Sequence, residues 1–523
     1  MKRSKFTVLL ALLLSAIVLF AGCSGKQGST GTEGSGTTEA GRKVKDTVTV
    51  ALYADPPTLD PQCEISDAAR VVEWGIYDTL VKKDANGVIQ PKLATKWEQL
   101  DDLTWRFYLR DDVTFHNGEK LTAEDVRFSI NRATEMWGSA YMFSGFDGQN
   151  CAVVDEHTVD IKTRYPFAPT LNYLASSRGA ILCKSAVESM GDDAYGAAPI
   201  GSGPLKLVSH TAGDSVVCER NDQYWGEKTS FKTIVYRVIP ESSARVIELE
   251  SGGVDVALWM TSTEMNSIEA NPNTELIITP SYESFYMLVN ATNQSEGTHL
   301  SDLRFRQALA YALDTAAIVK AVWGDTATPA DSLIQPEIMG YYPSGPWEYS
   351  PEKAKALLDE MGFDYSTVIQ LETVSGMRVL QESVEIIQNM LTAIGLNVQV
   401  TLYEEAAIYD RMYGEPWQLM LINDPPQSGD PDHSMMTPGD PGVGLFPEDD
   451  FETWNLIEKG RSTFDEAERT KVYEELSQRM WDSCVMIEIA NGCNIYGVRK
   501  GVEGIDTRPS GIPDCSTLIV YEN

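Results

Sequence analysis

The sequence predicts an α/β fold, because segments with the period of a strand alternate with segments with the period of a helix. The stretch Thr104–Ala133 reads as an edge strand of alternating apolar residues, an Asn-Gly turn at Asn117 and a helix with Thr122 as its N-cap. The stretch Val384–Val400 reads as helix, then Gly395 as a C-terminal cap, then strand. Both stretches indicate mixed α/β architecture.

The N-terminus is typical of a secretory signal peptide. Three basic residues precede the apolar run Val8–Phe20, whose 13 residues are too few to cross a bilayer. Small residues then lead to Cys23, an arrangement that resembles the lipobox of bacterial lipoproteins. We expect residues 1–22 to be a signal peptide and Cys23 to be lipidated. The alternative is an ordinary secreted protein that is cut near Ala21.

Residues 23–45 are predicted to be a flexible tether. The part Ser24–Gly41 is rich in Gly, Ser, Thr and Glu and has no apolar period. Fully stretched, these 18 residues would reach about 60 Å. We therefore expect an extracytoplasmic body that is anchored to the cell membrane through the lipid on Cys23.

The composition indicates a globular, strongly acidic protein. Of 523 residues, 43% are hydrophobic and 23% are charged, and the net charge is −34. Loss of the signal peptide removes three positive charges, which brings the net charge to −37. Such a surface repels nucleic acid and anionic lipid, so no nucleic-acid partner is expected. It slightly favours a cationic solute over an anionic one.

No motif in the chain indicates catalysis, a metal or a cofactor. The sequence lacks nucleophile elbows, metalloprotease motifs and phosphate-binding loops, and its five histidines are scattered. We expect no enzyme activity and no cofactor. The eight cysteines show no zinc-site spacing. Cys484 and Cys493 either form a local disulfide or are buried free thiols.

Four further segments complete the predicted elements of the body. Asp46–Leu52 alternates as a first strand, and the proline-rich Tyr53–Pro61 should be an irregular loop. Ala68–Lys82 and Asp302–Ile318 each have an apolar stripe at helical spacing. We therefore expect a helix over each of these two segments.

Several of these segments resemble, in order, one family of binding proteins. Thr104–Ala133, Pro199–Val208, Val216–Gly226 and Ser243–Ala257 are similar to motifs of the bacterial extracellular solute-binding proteins of family five. These are the peptide and nickel binders of ABC importers. The resemblance extends from about Val48 to Glu503.

The resemblance implies a periplasmic-binding-protein-like fold with two main lobes, a hinge and an inserted third lobe, of the type called cluster C. The hinge strands should lie near Tyr282–Asn290 and Ile487–Tyr496. The implied lobes are lobe I at 46–75, 200–284 and 490–523, lobe II at 76–199, and lobe III at 285–489.

The resemblance also implies a function. A monomeric, extracytoplasmic lipoprotein would capture peptides or peptide-like solutes by hinge closure and deliver them to an ABC permease in the membrane. Alternatives are a binder of a nickel chelate, haem or another non-peptide solute, or a ligand-sensing co-receptor.

The segment Leu419–Met436 is the best sequence guide to the ligand. In the dipeptide and oligopeptide members, this segment contains an Asp-Pro pair, and an Asp three residues before that pair binds the peptide ammonium. In this chain the Asp-Pro pair begins at Asp430, and Gln427 stands at the position three residues before it. Three alternatives remain open: Asp424 replaces the missing carboxylate, the ligand has no free ammonium, or the alignment of this loop with the family motif is shifted. Asp430 and His433 are further candidates for ligand contacts, and His433 is also a candidate metal ligand.

The remaining candidate ligand residues are a basic residue and four aromatic residues. Arg378 is predicted to lie in a loop that resembles the family region supplying an arginine for a peptide carboxylate. Aromatic side chains that could form the walls of the ligand cleft are Tyr53, Tyr286, Trp259 and Trp417.

Overall fold

The computed structural model describes residues 42–522 except 64–65, 85–86, 293–298, 415, 427, 436–442, 444, 447–449 and 507. The predicted signal peptide, Cys23, most of the tether and Gln427 lie outside the described residues. The folded body begins at Val44, whose backbone forms a β-bridge with Tyr521.

The strands and helices alternate along the chain, as an α/β fold requires. The strands are β1 Thr47–Leu52, β2 Val81–Lys83, β3 Ile89–Pro91, β4 Ala94–Asp101, β5 Thr104–Leu109, β6 Ala152–Asp155, β7 Thr158–Lys162, β8 Leu205–Thr211, β9 Ser215–Arg220, β10 Thr233–Val238, β11 Val256–Ala257, β12 Thr274–Val289, β13 Ala327–Pro329, β14 Val368–Val374, β15 Asn397–Tyr403, β16 Leu419–Asp424, β17 Met486–Arg499, β18 Val502–Glu503 and β19 Ile519–Val520. The helices are α1 Asp67–Ile76, α2 Ala123–Ala133, α3 Thr170–Leu174, α4 Lys184–Met190, α5 Asp192–Ala197, α6 Ser242–Ser251, α7 Met265–Ala270, α8 Leu303–Ala312, α9 Thr315–Val322, α10 Pro351–Glu360, α11 Arg378–Ala393, α12 Glu405–Gly414, α13 Pro431–Ser434, α14 Phe451–Ser462 and α15 Glu466–Ser483.

Within the described residues, the largest sheet has eleven strands, and its two longest strands lie in the middle. The order is β15-β14-β16-β12-β17-β11-β1-β10-β9-β8, and β13 also pairs with β17. Strands β1 and β8–β11 form what we call the N-terminal half of the sheet, and β14–β16 form the C-terminal half. The antiparallel pair β12 and β17 joins the two halves. The predicted hinge segments fall in these two strands, while the division into three lobes stays a prediction.

The predicted strand, turn and helix in Thr104–Ala133 are confirmed, except that the strand is an inner strand of its sheet and not the expected edge strand. β5 lies in a four-stranded sheet with the order β4-β5-β7-β6. The turn at Gly118 has a φ of 88°, and α2 begins after Thr122. The Asp125 carboxylate accepts a hydrogen bond from the Thr122 backbone N–H at 2.9 Å. This contact satisfies a donor that the first turn of the helix leaves unpaired, and caps of this kind contribute about 1 kcal/mol.

Two predicted helices end earlier than expected. The helix predicted over Ala68–Lys82 stops at Ile76, because Tyr77 is extended and its hydroxyl donates to the Leu59 carbonyl at 3.0 Å. The helix predicted over Asp302–Ile318 is two helices. Its break falls at the extended Leu313, after which the Asp314 carboxylate caps α9. A polar contact lies at each boundary, and at the end of α1 its two residues are 18 positions apart in the sequence.

The body has two large hydrophobic cores. One packs β12, β14 and β16 against α8–α11 and α15. The other joins the N-terminal half of the sheet to the four-stranded sheet that contains β5. The seven cysteines in the described residues are free thiols, so Cys484 and Cys493 form no disulfide. No helix in the described part of the chain is both long and apolar enough to cross a bilayer.

Candidate functional site

Segments from both halves of the eleven-stranded sheet converge on a cavity of about 230 Å³. Arg70 reaches it from α1, which follows β1, and Lys83 reaches it from β2. Tyr282 lines it from β12, Ser428 from the loop after β16, and Arg508 from the segment after β17. The cavity therefore lies where the sheet halves meet, beside the two strands that join them.

The cavity wall contains charged groups of both signs. The Lys83 ammonium donates to the Ser428 carbonyl at 2.6 Å, and desolvation lowers the pKa of Lys83 to about 8. Desolvation also raises the pKa of Glu337 above its usual value. Arg508 forms an ion pair with Asp506 at 2.5 Å. The site therefore offers both cationic and anionic partners to a polar solute.

Asp430 is bound to the protein itself. Its side chain is fully buried, and it forms a bidentate ion pair with Arg469 at 2.7 and 2.9 Å. It also accepts a hydrogen bond from the Asn172 amide at 2.5 Å and one from the Asp432 backbone N–H at 2.9 Å. Burial alone would raise the pKa of Asp430, but Arg469 holds it below its usual value. Asp430 therefore shapes the loop after β16.

His433 is part of the same buried network. It is 4% exposed, and its ring stacks on Tyr173 with the ring centres 6.2 Å apart. Its Nδ1 accepts a hydrogen bond from the Ser428 backbone N–H at 3.4 Å. Desolvation lowers the pKa of His433 to about 4, so the ring is neutral at physiological pH. In the described residues, no group of three His, Cys, Asp or Glu side chains could hold a metal ion.

Gly429 lets the loop after β16 approach β12 closely. Its φ is 58°, and a Cβ added there would lie 2.6 Å from the Tyr282 hydroxyl oxygen. Both features require glycine. The loop and β12 are thus packed together at one edge of the cavity.

Two of the predicted aromatic residues are brought together. The Tyr53 and Trp259 rings meet edge to face with their centres 5.0 Å apart. They follow the parallel neighbours β1 and β11, whose carboxyl ends share one edge of the sheet. Tyr53 is 37% exposed, so this pair presents an aromatic surface. Its contact with a ligand stays a prediction.

The structure also places four other predicted site residues. Tyr286 and Trp417 are 1% and 2% exposed in the hydrophobic core. Arg378 was predicted in a loop, but it is the first residue of α11, and it forms an exposed ion pair with Glu382 at 2.5 Å. Asp424 ends β16, and its backbone pairs with Ser284.

Sequence reasoning missed Glu283, which lies on β12 next to the cavity residue Tyr282. One oxygen of its carboxylate accepts a hydrogen bond from the Asn423 amide at 3.0 Å. The side chain is half-buried, and desolvation raises its pKa to about 7. The available signal was a single charged residue within the apolar run from Tyr282 to Val289.

A site at the junction of two joined sheet halves, lined by polar groups from both, defines a protein that encloses a solute. The sequence model of the bacterial extracellular solute-binding proteins, family 5 Middle, matches residues 88–444. The chain therefore belongs to this family, the extracytoplasmic substrate-binding proteins of ABC importers. It is a binding protein and not an enzyme.

The chain is similar to several characterised proteins. It is 27% identical to the dipeptide-binding protein of Escherichia coli strain K12, over 89% of this chain and 93% of that protein. The fold matches the Helicobacter pylori protein DppA in complex with the peptide STSA, with a TM-score of 0.79 at 22% identity over 92% of this chain and 99% of that one. It also matches NikA from Staphylococcus aureus in complex with Ni(L-His)2, with a TM-score of 0.75 at 20% identity over 91% and 100%.

Proposed function

We propose that this protein captures peptides or peptide-like solutes outside the cytoplasmic membrane and delivers them to an ABC permease. The observation that carries the proposal is the cavity at the junction of the two sheet halves, which only β12 and β17 join among the described strands. A dipeptide-binding relative that is similar over most of both chains supports a peptide ligand.

Capture would occur by closure of the two halves around β12 and β17. Bending of two strands moves the segments after β1, β16 and β17 relative to one another without breaking either hydrophobic core. A solute that contacts both halves favours the closed form, because the open form makes only part of its contacts. Tyr53 and Trp259 would form one wall of the cleft, and the loop from Asp424 to His433 would form the opposite wall.

A non-peptide solute is the second candidate function. The support is the fold shared with NikA, whose structure contains Ni(L-His)2, and the absence of the expected aspartate at Gln427. A haem or nickel chelate would need to be held by polar and aromatic contacts, because no metal-binding group is found in the described residues. A co-receptor that reports the solute to a sensor would use the same closure.

Thermal unfolding with defined solutes tests the peptide proposal. A pool of di- to pentapeptides, with its best binder at about 100 times its Kd, should raise the free energy of unfolding by about 2.7 kcal/mol. Ni(L-His)2 and haem, added separately at the same concentration, should leave the Tm unchanged. A Tm that rises with either of these and not with the peptides would contradict the proposal.

Lipid anchoring at Cys23 is also a proposal, supported by the preceding signal-like sequence and the Gly/Ser-rich segment that follows. Cys23→Ala should move the protein from the membrane fraction to the medium or periplasm, because the tether alone has no apolar surface. Cys63→Ala is a matched control, since Cys63 lies in the folded body. Equal membrane retention of Cys23→Ala and wild type would contradict anchoring at this residue.

A further inference from the structure

A bulge in β12 contains the cavity residue Tyr282 and the carboxylate residue that follows it. Pro280 pairs with Cys493 and Ser284 pairs with Asn491, so three residues of β12 stand opposite the single residue Gly492. The last of the three is Glu283. The bulge lets the side chains of Tyr282 and Glu283 leave the regular alternation of the strand. Tyr282 lines the cavity, and Glu283 is its direct neighbour.

The protein forms a hydrogen bond with only one of the two oxygens of the Glu283 carboxylate. Its Oε1 accepts a hydrogen bond from Asn423 on β16 at 3.0 Å. Its Oε2 has no hydrogen-bond partner among the described residues, and no Lys or Arg of the described chain forms an ion pair with it. A half-buried carboxylate normally has a partner of this kind or water. The free oxygen can therefore accept a hydrogen bond from a ligand.

Gly492 leaves room at this oxygen. A Cβ at position 492 would lie 3.2 Å from Glu283 Oε2 and 3.5 Å from the Phe285 ring. A larger side chain on β17 would thus crowd the carboxylate. The carboxylate therefore lies close to residues of β16 and β17, the two strands that flank β12 in the sheet.

The surroundings of Glu283 favour a cation. The pKa of Glu283 is raised to about 7. Desolvation is the largest cause; the hydrogen bond from the Asn423 amide lowers the pKa, and the negative charge of Asp67 on α1 raises it. Asp67 is already paired with Arg70 at 2.6 Å. A positive group at Oε2 would stabilise the anionic carboxylate that these surroundings disfavour.

We propose that Glu283 receives a protonated amine of the bound solute. This inference rests on the proposed function and specifies its ligand class, a solute with an ammonium group. It would supply the carboxylate that the resemblance to the dipeptide and oligopeptide members implies at the position of Gln427. The amine donates to Oε2 while Asn423 holds Oε1, so the contact forms between β12 and the solute at the hinge itself.

The test compares three peptide pools on the full-length protein. The first contains di- to pentapeptides without Lys or Arg, the second contains the same peptides after N-acetylation, and the third contains N-acetylated peptides with one lysine. Native mass spectrometry ranks retention, and calorimetry at pH 7 measures Kd and proton release for the best binder. Glu283→Gln removes the charge, Asp424→Asn is the rival variant, and Glu275→Gln is an exposed control on the same strand.

The expected result is retention of the first or third pool at least about 10-fold above the second. Retention of the first pool identifies the α-ammonium, and retention of the third identifies a side-chain amine. Glu283→Gln should weaken binding by about 10-fold to 100-fold. Wild type should release about half a proton on binding near pH 7, because about half of the Glu283 carboxyls are protonated there. Glu283→Gln should release none.

Two results would overturn the inference while leaving the proposed function intact. One is equal retention of the acetylated and free pools. The other is wild-type affinity in Glu283→Gln, whatever the affinity of Asp424→Asn; loss of binding in Asp424→Asn would then assign the ammonium to Asp424. Retention of no pool by wild type would instead reject the peptide function, and the inference with it. Circular dichroism confirms folding of each variant before binding is measured.

Discussion

Asp430→Asn is expected to lower the free energy of unfolding by about 3 to 5 kcal/mol. Asp430 and Arg469 are both buried, and each side chain is the main counter-charge of the other in their bidentate ion pair. The substitution leaves the Arg469 guanidinium buried without its counter-charge, which costs more than the lost hydrogen bonds alone. It also weakens the contact with Asn172, which ties the loop after β16 to α3. Chemical denaturation at pH 7 measures the change.

Asp325→Asn is the matched control for this prediction. Asp325 forms an ion pair with Lys320 at 2.8 Å, but the Asp325 side chain is 87% exposed. Its removal should leave the free energy of unfolding almost unchanged, as is typical for exposed pairs. A loss below about 1 kcal/mol for Asp430→Asn as well would show that Asp430 is not the structural anchor of this loop.

The second large effect is a pH-dependent stability difference between Glu283→Gln and wild type. The folded protein holds the Glu283 proton with a pKa of about 7, above the usual value of 4.5. Between these values the folded state binds more protons than the unfolded state, so the free energy of unfolding falls as pH rises. The full loss of stability that ionised Glu283 causes is reached above pH 7 and is at most about 3 kcal/mol. Glutamine does not ionise and causes no such loss.

Unfolding of the ligand-free protein at pH 5 and pH 8 measures this difference. From pH 5 to pH 8, the free energy of unfolding of Glu283→Gln should rise by about 2 to 3 kcal/mol relative to that of wild type. Glu275→Gln should show the same small difference from wild type at both, because water solvates the exposed Glu275 in the folded and unfolded states. A Glu283→Gln difference that does not change with pH would contradict the desolvated position of the carboxylate.

Elements that depend on local contacts could be predicted from the sequence. The cap formed by Thr122 and Asp125, three residues apart, follows from residue types at adjacent positions. Gly395 has the positive φ expected between α11 and β15. The same local reasoning missed the ends of α1 and α8. There the Leu59 carbonyl and the Asp314 cap, and not helix propensity, set the boundary.

The candidate site depends on contacts between distant residues, which sequence patterns do not specify. Asp430 reads as a loop residue near a ligand, yet its partner Arg469 is 39 positions away on α15. Glu283 reads as one acid in a strand, but the bulge opposite Gly492 decides where its carboxylate points. Tyr286 and Trp417 read as wall residues, but the packing of the C-terminal half of the sheet buries both.

Native mass spectrometry of the full-length protein, purified without denaturation, tests the central claim most directly. We predict that the protein retains a ladder of small peptides, each with a free amine, and that Glu283→Gln retains much less of them. A single non-peptide mass, or a metal isotope pattern, would contradict the proposed peptide ligand and would make Gln427 the mark of a different solute.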